Sequence, residues 1–86
     1  MSIQTDAVAD RVVRLVAERV PRREAVTGDA VIRELGLVSV AVMDLVMAVE
    51  DEFDMVFPLD RLGDVETVDD LARVVQGIID QRTTAS

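Results

Sequence analysis

The chain has 86 residues and is half hydrophobic, with a mean hydropathy of +0.28; this fits one small folded domain and argues against a disordered tail, a second domain or a large active-site cavity. It has no cysteine and no histidine, which excludes disulfides, thiolate or imidazole metal ligands, and catalysis that needs either side chain. Its net charge of −8, with neither tyrosine nor tryptophan, opposes binding to nucleic acid or to anionic membranes, since both need dense basic patches. No stretch approaches the roughly 18 apolar residues of a membrane span, and Asp6 and Asp10 interrupt what could otherwise be a leader. No membrane insertion and a cytoplasmic location are therefore expected.

The charge is uneven. Through Arg33 there are six arginines against five acids, a balance of +1, so residues 34–86 carry −9. Between Glu34 and Glu66 nine acids face a single base, Arg61, and a partner with a basic surface would be steered to this middle third.

Val8, Val12, Leu15 and Val16 recur at helical spacing, with Asp10, Arg11, Arg14 and Glu18 on the opposite side, and Pro21 ends the pattern; the spacing predicts a helix over 3–19. Residues 21–36 read as a long structured loop: Thr27-Gly28-Asp29 is turn chemistry, 30–34 has room for one helical turn capped by Asp29, and Gly36 suits a left-handed position. The cluster Arg19, Arg22 and Arg23 reads as solvated.

From Val40 to Phe53 there is neither glycine nor proline, and Val42, Leu45, Val46, Val49 and Phe53 form one apolar stripe. A second row, Val40, Asp44, Met47 and Asp51 with Met43 beside it, mixes apolar and acidic groups; helical methionines are commonly core, but the stripe is already filled, so at least Met47 is expected to be exposed or half-exposed. Pro58 pushes Phe57 toward extended backbone, 59–64 has room for a short helix, and Thr67-Val68-Asp69-Asp70 carries the hydroxyl-then-acid pattern that opens a helix. Leu71, Val74, Val75, Ile78 and Ile79 continue that helix to about Asp80, leaving 83–86 as a frayed tail. The expected fold is all-α, a single domain over 1–82 built as a four-helix bundle of three main helices and one short one, and a monomer.

The run Leu35-Gly36-Leu37-Val38-Ser39-Val40, followed by Asp44-Leu45-Val46-Met47-Ala48-Val49-Glu50-Asp51-Glu52-Phe53-Asp54, closely resembles the acyl carrier protein family, whose Leu-Gly-x-Asp-Ser-Leu loop leads into a helix of the form Glu-Leu-Val-Met-Ala-Leu-Glu-Glu-Glu-Phe. The likeness continues through Phe57-Pro58 to Thr67-Val68 and Asp70-Leu71. It implies an acyl-carrier-protein-like bundle and a stand-alone, non-catalytic carrier. A phosphopantetheinyl transferase would esterify Ser39 with 4′-phosphopantetheine, whose thiol holds an acyl or aminoacyl group as a thioester. The other implied partners are an acyl-loading ligase or acyltransferase and a downstream synthase, in lipid, fatty acid, polyketide or other secondary-metabolite synthesis. It further implies docking through Val40, Met43, Asp44, Met47, Glu50 and Asp51.

This chain departs from the family at Val38, where the family has aspartate, at Val40 in place of leucine, at Ala41 in place of an acid, and around Asp60 and Arg61, where acids are thinned. Valine at 38 removes a carboxylate that could favour the helix N-terminus or meet a transferase. An alternative reading is an unmodified carrier-like adaptor that binds an enzyme through the second helix, with Ser39 serving only as an N-cap. Leu45, Val46, Phe53, Leu62 and Val65 read mainly as core, and secondarily as the lining of a space for cargo.

Overall fold

The structure, a computed structural model, describes residues 3–37 and 39–85, with side chains at 7–37 and 40–82. Three α-helices carry the fold: α1 (Ile3–Ala17), α2 (Ser39–Phe53) and α3 (Val68–Ala85). Short 3-10 turns at Arg23–Ala25, Ile32–Glu34 and Leu59–Asp64 punctuate the connections. The expected all-α bundle is present, and the fourth, short helix is the 3-10 turn at 59–64. Among the described residues the sole β feature is one antiparallel bridge, Val31 to Thr67, and no helix is long and apolar enough to cross a membrane.

The apolar spacings converge on a single core. Val8, Val12, Leu15 and Val16 of α1 meet Leu45, Val46, Val49 and Phe53 of α2 and Val68, Leu71, Ala72 and Val75 of α3. Val20, Val26, Met55 and Phe57 close it from the loops. Val12, Val16, Val49, Val68 and Val75 are fully buried, each contributing on the order of 1.5–3 kcal/mol by removal from water. That outweighs the few tenths of a kcal/mol that valine typically costs a helix. Val42, expected in the same stripe, is only half-buried and borders a surface cleft with Ile32, Leu62 and Val65.

Helix ends show how the sequence punctuates itself. α1 stops at Ala17 and not at 19, its last turn tightening as Arg19 N–H donates to the Val16 carbonyl at 3.0 Å. α2 ends at Asp54, which takes a left-handed φ of 51° and lets the Met55 N–H return to the Glu50 carbonyl at 3.1 Å. That 6→1 closure is a Schellman motif with aspartate where glycine is usual. Arg82 of α3 donates to the Asp54 carbonyl at 2.7 Å and to the Phe53 carbonyl at 3.4 Å, so a side chain 28 residues away helps satisfy that end.

α3 opens as the sequence predicts. The Asp70 N–H donates to Thr67 Oγ1, while Asp70 Oδ2 accepts from the N–H groups of Thr67 and Glu66, each at 3.1 Å. The helix then runs to Ala85, past the Asp80 expected from apolar spacing alone.

The loop expectation needs one correction. Asp29 does not cap the turn at 32–34; Val31, in extended backbone, precedes that turn without a side-chain cap, and Asp29 Oδ1 instead accepts from Thr27 Oγ1 at 2.6 Å. The reason is that residues 28–32 lie along the start of α3. Ile32 N–H donates to Glu66 O, Val68 N–H to Ala30 O and Asp69 N–H to Gly28 O, at 2.8, 3.0 and 2.7 Å. These bonds hold the loop as a strap, and a Cβ at Gly28 would collide with the Asp69 carboxylate. Gly36, with φ +86°, then turns the chain toward α2, as expected.

Candidate functional site

Ser39 is the first residue of α2. Leu35 and Leu37 pack against the core on the approach and the Gly36 turn lies between them, so the loop is anchored where the helix begins. Val38, the Ser39 side chain and any capping hydrogen bond it makes lie outside the described residues. The first turn of α2 carries no carboxylate. Its positive dipole end therefore meets no fixed negative charge from that turn, an environment that favours an incoming phosphate. Ser39 supplies a hydroxyl for a phosphodiester, and the chain has no cysteine whose thiol would compete with that of a pantetheine arm. These features fit the group.

Beyond Ser39 the outer side of α2 is apolar and exposed. Val40 is 79% exposed, Met43 45% and Met47 61%, values that place all three outside the core, with Asp44 and Asp51 exposed among them. The structure thus brings together Val40, Met43, Asp44, Met47 and Asp51. Glu50 is placed differently: it is half-buried, and its carboxylate accepts the Phe57 N–H at 2.8 Å, fastening the segment after α2.

Two arginines of the first third reach across to this helix. Arg11 donates through Nε to Glu52 Oε2 at 2.7 Å and through Nη2 to the Glu52 carbonyl at 3.0 Å, with its guanidinium 4.5 Å from the centre of the Phe53 ring. Arg19 donates through Nε to Asp44 Oδ2 and through Nη1 to the Leu15 carbonyl, both at 2.8 Å, and lies 3.5 Å from the Glu18 carboxylate. The expected solvated arginine cluster is corrected here, since the Arg19 side chain is only 22% exposed. Arg22 and Arg23 do face solvent. Sequence reasoning missed these bridges; the arginines were visible on the polar side of α1, but partners 25 and 41 residues away leave no local signal.

A cleft of about 200 Å³ opens beside the first turns of α2, lined by Ile32, Arg33, Val42, Leu62, Val65 and Glu66. Leu62 and Val65 line it as expected, whereas Leu45, Val46 and Phe53 belong to the core. A larger groove of about 510 Å³, bordered by Ala9 of α1 and by Ala72 and Gln76 of α3, shares no residue with the α2 face.

The strongly perturbed carboxyl among the described residues is structural. Asp70 is lowered from 3.8 to about 2 by the N–H donors of Thr67 and Glu66 and then by Arg73, whose guanidinium lies 2.6 Å away.

Residues 10–75, which include Ser39, match the family described as "Phosphopantetheine attachment site". Over 53 residues the chain is 45% identical to a protein of Caulobacter vibrioides (strain NA1000 / CB15N) described as "Probable acyl carrier protein". That alignment covers 62% of this chain and 58% of the relative, so the chain spans a little over half the length of the curated relative it matches. Phosphopantetheine is the prosthetic group of the matched family, whose members are carriers and not catalysts. With three-quarters of its length matched, the chain belongs to the phosphopantetheine attachment family.

Proposed function

We propose that this protein is an acyl carrier whose 4′-phosphopantetheine is attached to Ser39 and which presents an acyl or aminoacyl group to enzymes of lipid or secondary-metabolite synthesis. The observation that carries the reading is the place of Ser39. It is the first residue of α2, it follows the Leu35-Gly36-Leu37 loop, and it lies inside the matched stretch.

In the attachment step, catalysed by a phosphopantetheinyl transferase, the Ser39 hydroxyl oxygen forms a bond to the β-phosphorus of coenzyme A. The pyrophosphate linkage breaks, 3′,5′-ADP departs, and the hydroxyl proton goes to a base on the transferase. When bound, the group supplies a thiol on a long flexible arm for thioester exchange. The chain's own residues do the rest. The start of α2 favours the phosphodiester charge, Gly36 and the half-buried Leu35 and Leu37 hold the serine's loop, and Val40, Met43, Met47 and Asp51 form the surface that a partner meets.

Incubation of the purified chain with coenzyme A and a broad-specificity transferase, followed by intact-mass spectrometry, tests this. The expected result is a gain of one phosphopantetheine that is lost in Ser39→Ala. A wild-type chain that gains no mass, with that transferase and with the one from its own source, overturns the proposal and leaves the unmodified adaptor.

A further inference from the structure

The charges of α2 are mostly used inside the molecule, and this changes what kind of surface can dock there. The helix holds four carboxylates: Asp44, Glu50, Asp51 and Glu52. Arg19 holds Asp44, the Phe57 N–H holds Glu50, and Arg11 holds Glu52. Among the described residues Asp51 alone of the four accepts no hydrogen bond and forms no ion pair. The apolar row is continuous with the helix start, because Ser39, Met43 and Met47 fall at i, i+4 and i+8.

Arg19 is the pivotal member. Its guanidinium is clamped between the Leu15 carbonyl and Asp44, with the Glu18 carboxylate 3.5 Å away, and its side chain is mostly buried, so it neutralises Asp44 beside the docking face. A groove of about 380 Å³ is lined by Arg19, Asp44, Met47, Ala48, Asp51 and Glu52, so the Arg19–Asp44 pair, an apolar side chain and the unpaired carboxylate border the same space. An approaching cationic ridge would find Asp44 already neutralised by Arg19 and Glu52 by Arg11. An apolar surface with one cation opposite Asp51 would meet no such obstacle.

We propose that Arg19 is a specificity-determining residue of the α2 face, and that the transferase surface it admits is apolar with a single cation, not an arginine- and lysine-rich ridge. This rests on the reading that a transferase docks at α2 to reach Ser39. Arg19 therefore suppresses electrostatic steering, which normally appears as salt-dependent association.

The test measures equilibrium binding of a broad-specificity phosphopantetheinyl transferase, with coenzyme A present, to the full chain carrying Ser39→Ala, so that no transfer is required. The affinity of this parent is expected to fall less than about two-fold as sodium chloride rises from about 50 to about 500 mM. Adding Arg19→Gln is expected to tighten binding about two- to five-fold at low salt and to make it steeply salt-dependent. In the parent, Asp51→Asn is expected to weaken binding more than Asp44→Asn does. If circular dichroism shows that Arg19→Gln does not fold, the order of the two aspartate variants decides. Unchanged affinity and salt slope in a folded Arg19→Gln chain, an Asp44→Asn loss equal to or above that of Asp51→Asn, or no binding by the parent would each overturn the inference. Mass gain by the wild type separates this from the attachment reading: loading without an Arg19 effect removes only the docking claim, and an Arg19 effect without loading removes only the claim for Ser39.

Discussion

α3 and α2 begin in opposite ways. α3 is closed by its own sequence, since Thr67 and Asp70 exchange hydrogen bonds across its first turn and Asp70 also takes the Glu66 N–H and the Arg73 guanidinium. α2 begins with no carboxylate in its first turn, at a serine followed by an exposed valine. The same physical demand, negative charge at a helix N-terminus, is met by side chains of the first turn in one case and by no carboxylate of that turn in the other, which is where the proposed function places an incoming phosphate. The far end of α2 resembles α3 more than it resembles its own start, being tied by Arg11 to Glu52, Arg82 to Asp54 and Glu50 to Phe57. On the proposed function, stability and function are thus kept on different parts of one helix.

The sharpest way to break this division is at its fastened end. Phe53→Ala removes a buried ring and the surface under Arg11, and urea unfolding is expected to show a loss of about 3–5 kcal/mol. A loss below about 1 kcal/mol would mean that this end is not where stability resides. At the start of α3, Thr67→Ala is expected to cost about 1 kcal/mol in the same assay by removing the acceptor for the Asp70 N–H.

The Asp70 half of that box shows itself through pH. Its carboxyl sits at about 2, below the ordinary 3.8, so the folded state favours the ionised form. Its contribution is complete above about pH 3.8 and disappears as pH falls through 2. Between pH 4 and 2 the wild type is therefore expected to lose stability that an Asp70→Asn chain lacks throughout, so the two urea midpoints converge; parallel curves would contradict the assignment. The smallest effect is expected at the open start. Val38→Asp, which sets a carboxylate immediately before α2, should stabilise the fold by a few tenths of a kcal/mol to about 1 kcal/mol, and no gain would mean that this helix end is already satisfied.

Much of this was legible in the residues. The three apolar stripes located the helices, Thr67 to Asp70 marked the start of α3, and the mixed row from Val40 to Asp51 separated the outer side of α2 from its inner one. Local chemistry decides such features, and spacing reveals it. What escaped depends on neighbours distant in sequence. Asp29 looked like a cap because the backbone pairing of 28–32 with 66–69 has no side-chain signature. Glu50 looked like a docking acid because its use by the Phe57 N–H follows from how the chain turns after Asp54. Arg19 looked solvated because Asp44 lies 25 residues away and meets it only when α1 and α2 pack.

The most direct test of the central claim is to find which oxygen carries the arm. Trypsin cleavage after Arg33 and Arg61 releases residues 34–61, in which Ser39 is the sole hydroxyl side chain. After incubation with coenzyme A and transferase, tandem mass spectrometry is predicted to find phosphopantetheine on that peptide and on no other. An arm on a peptide bearing Thr27 or Thr67, or no arm on any peptide, would contradict the account.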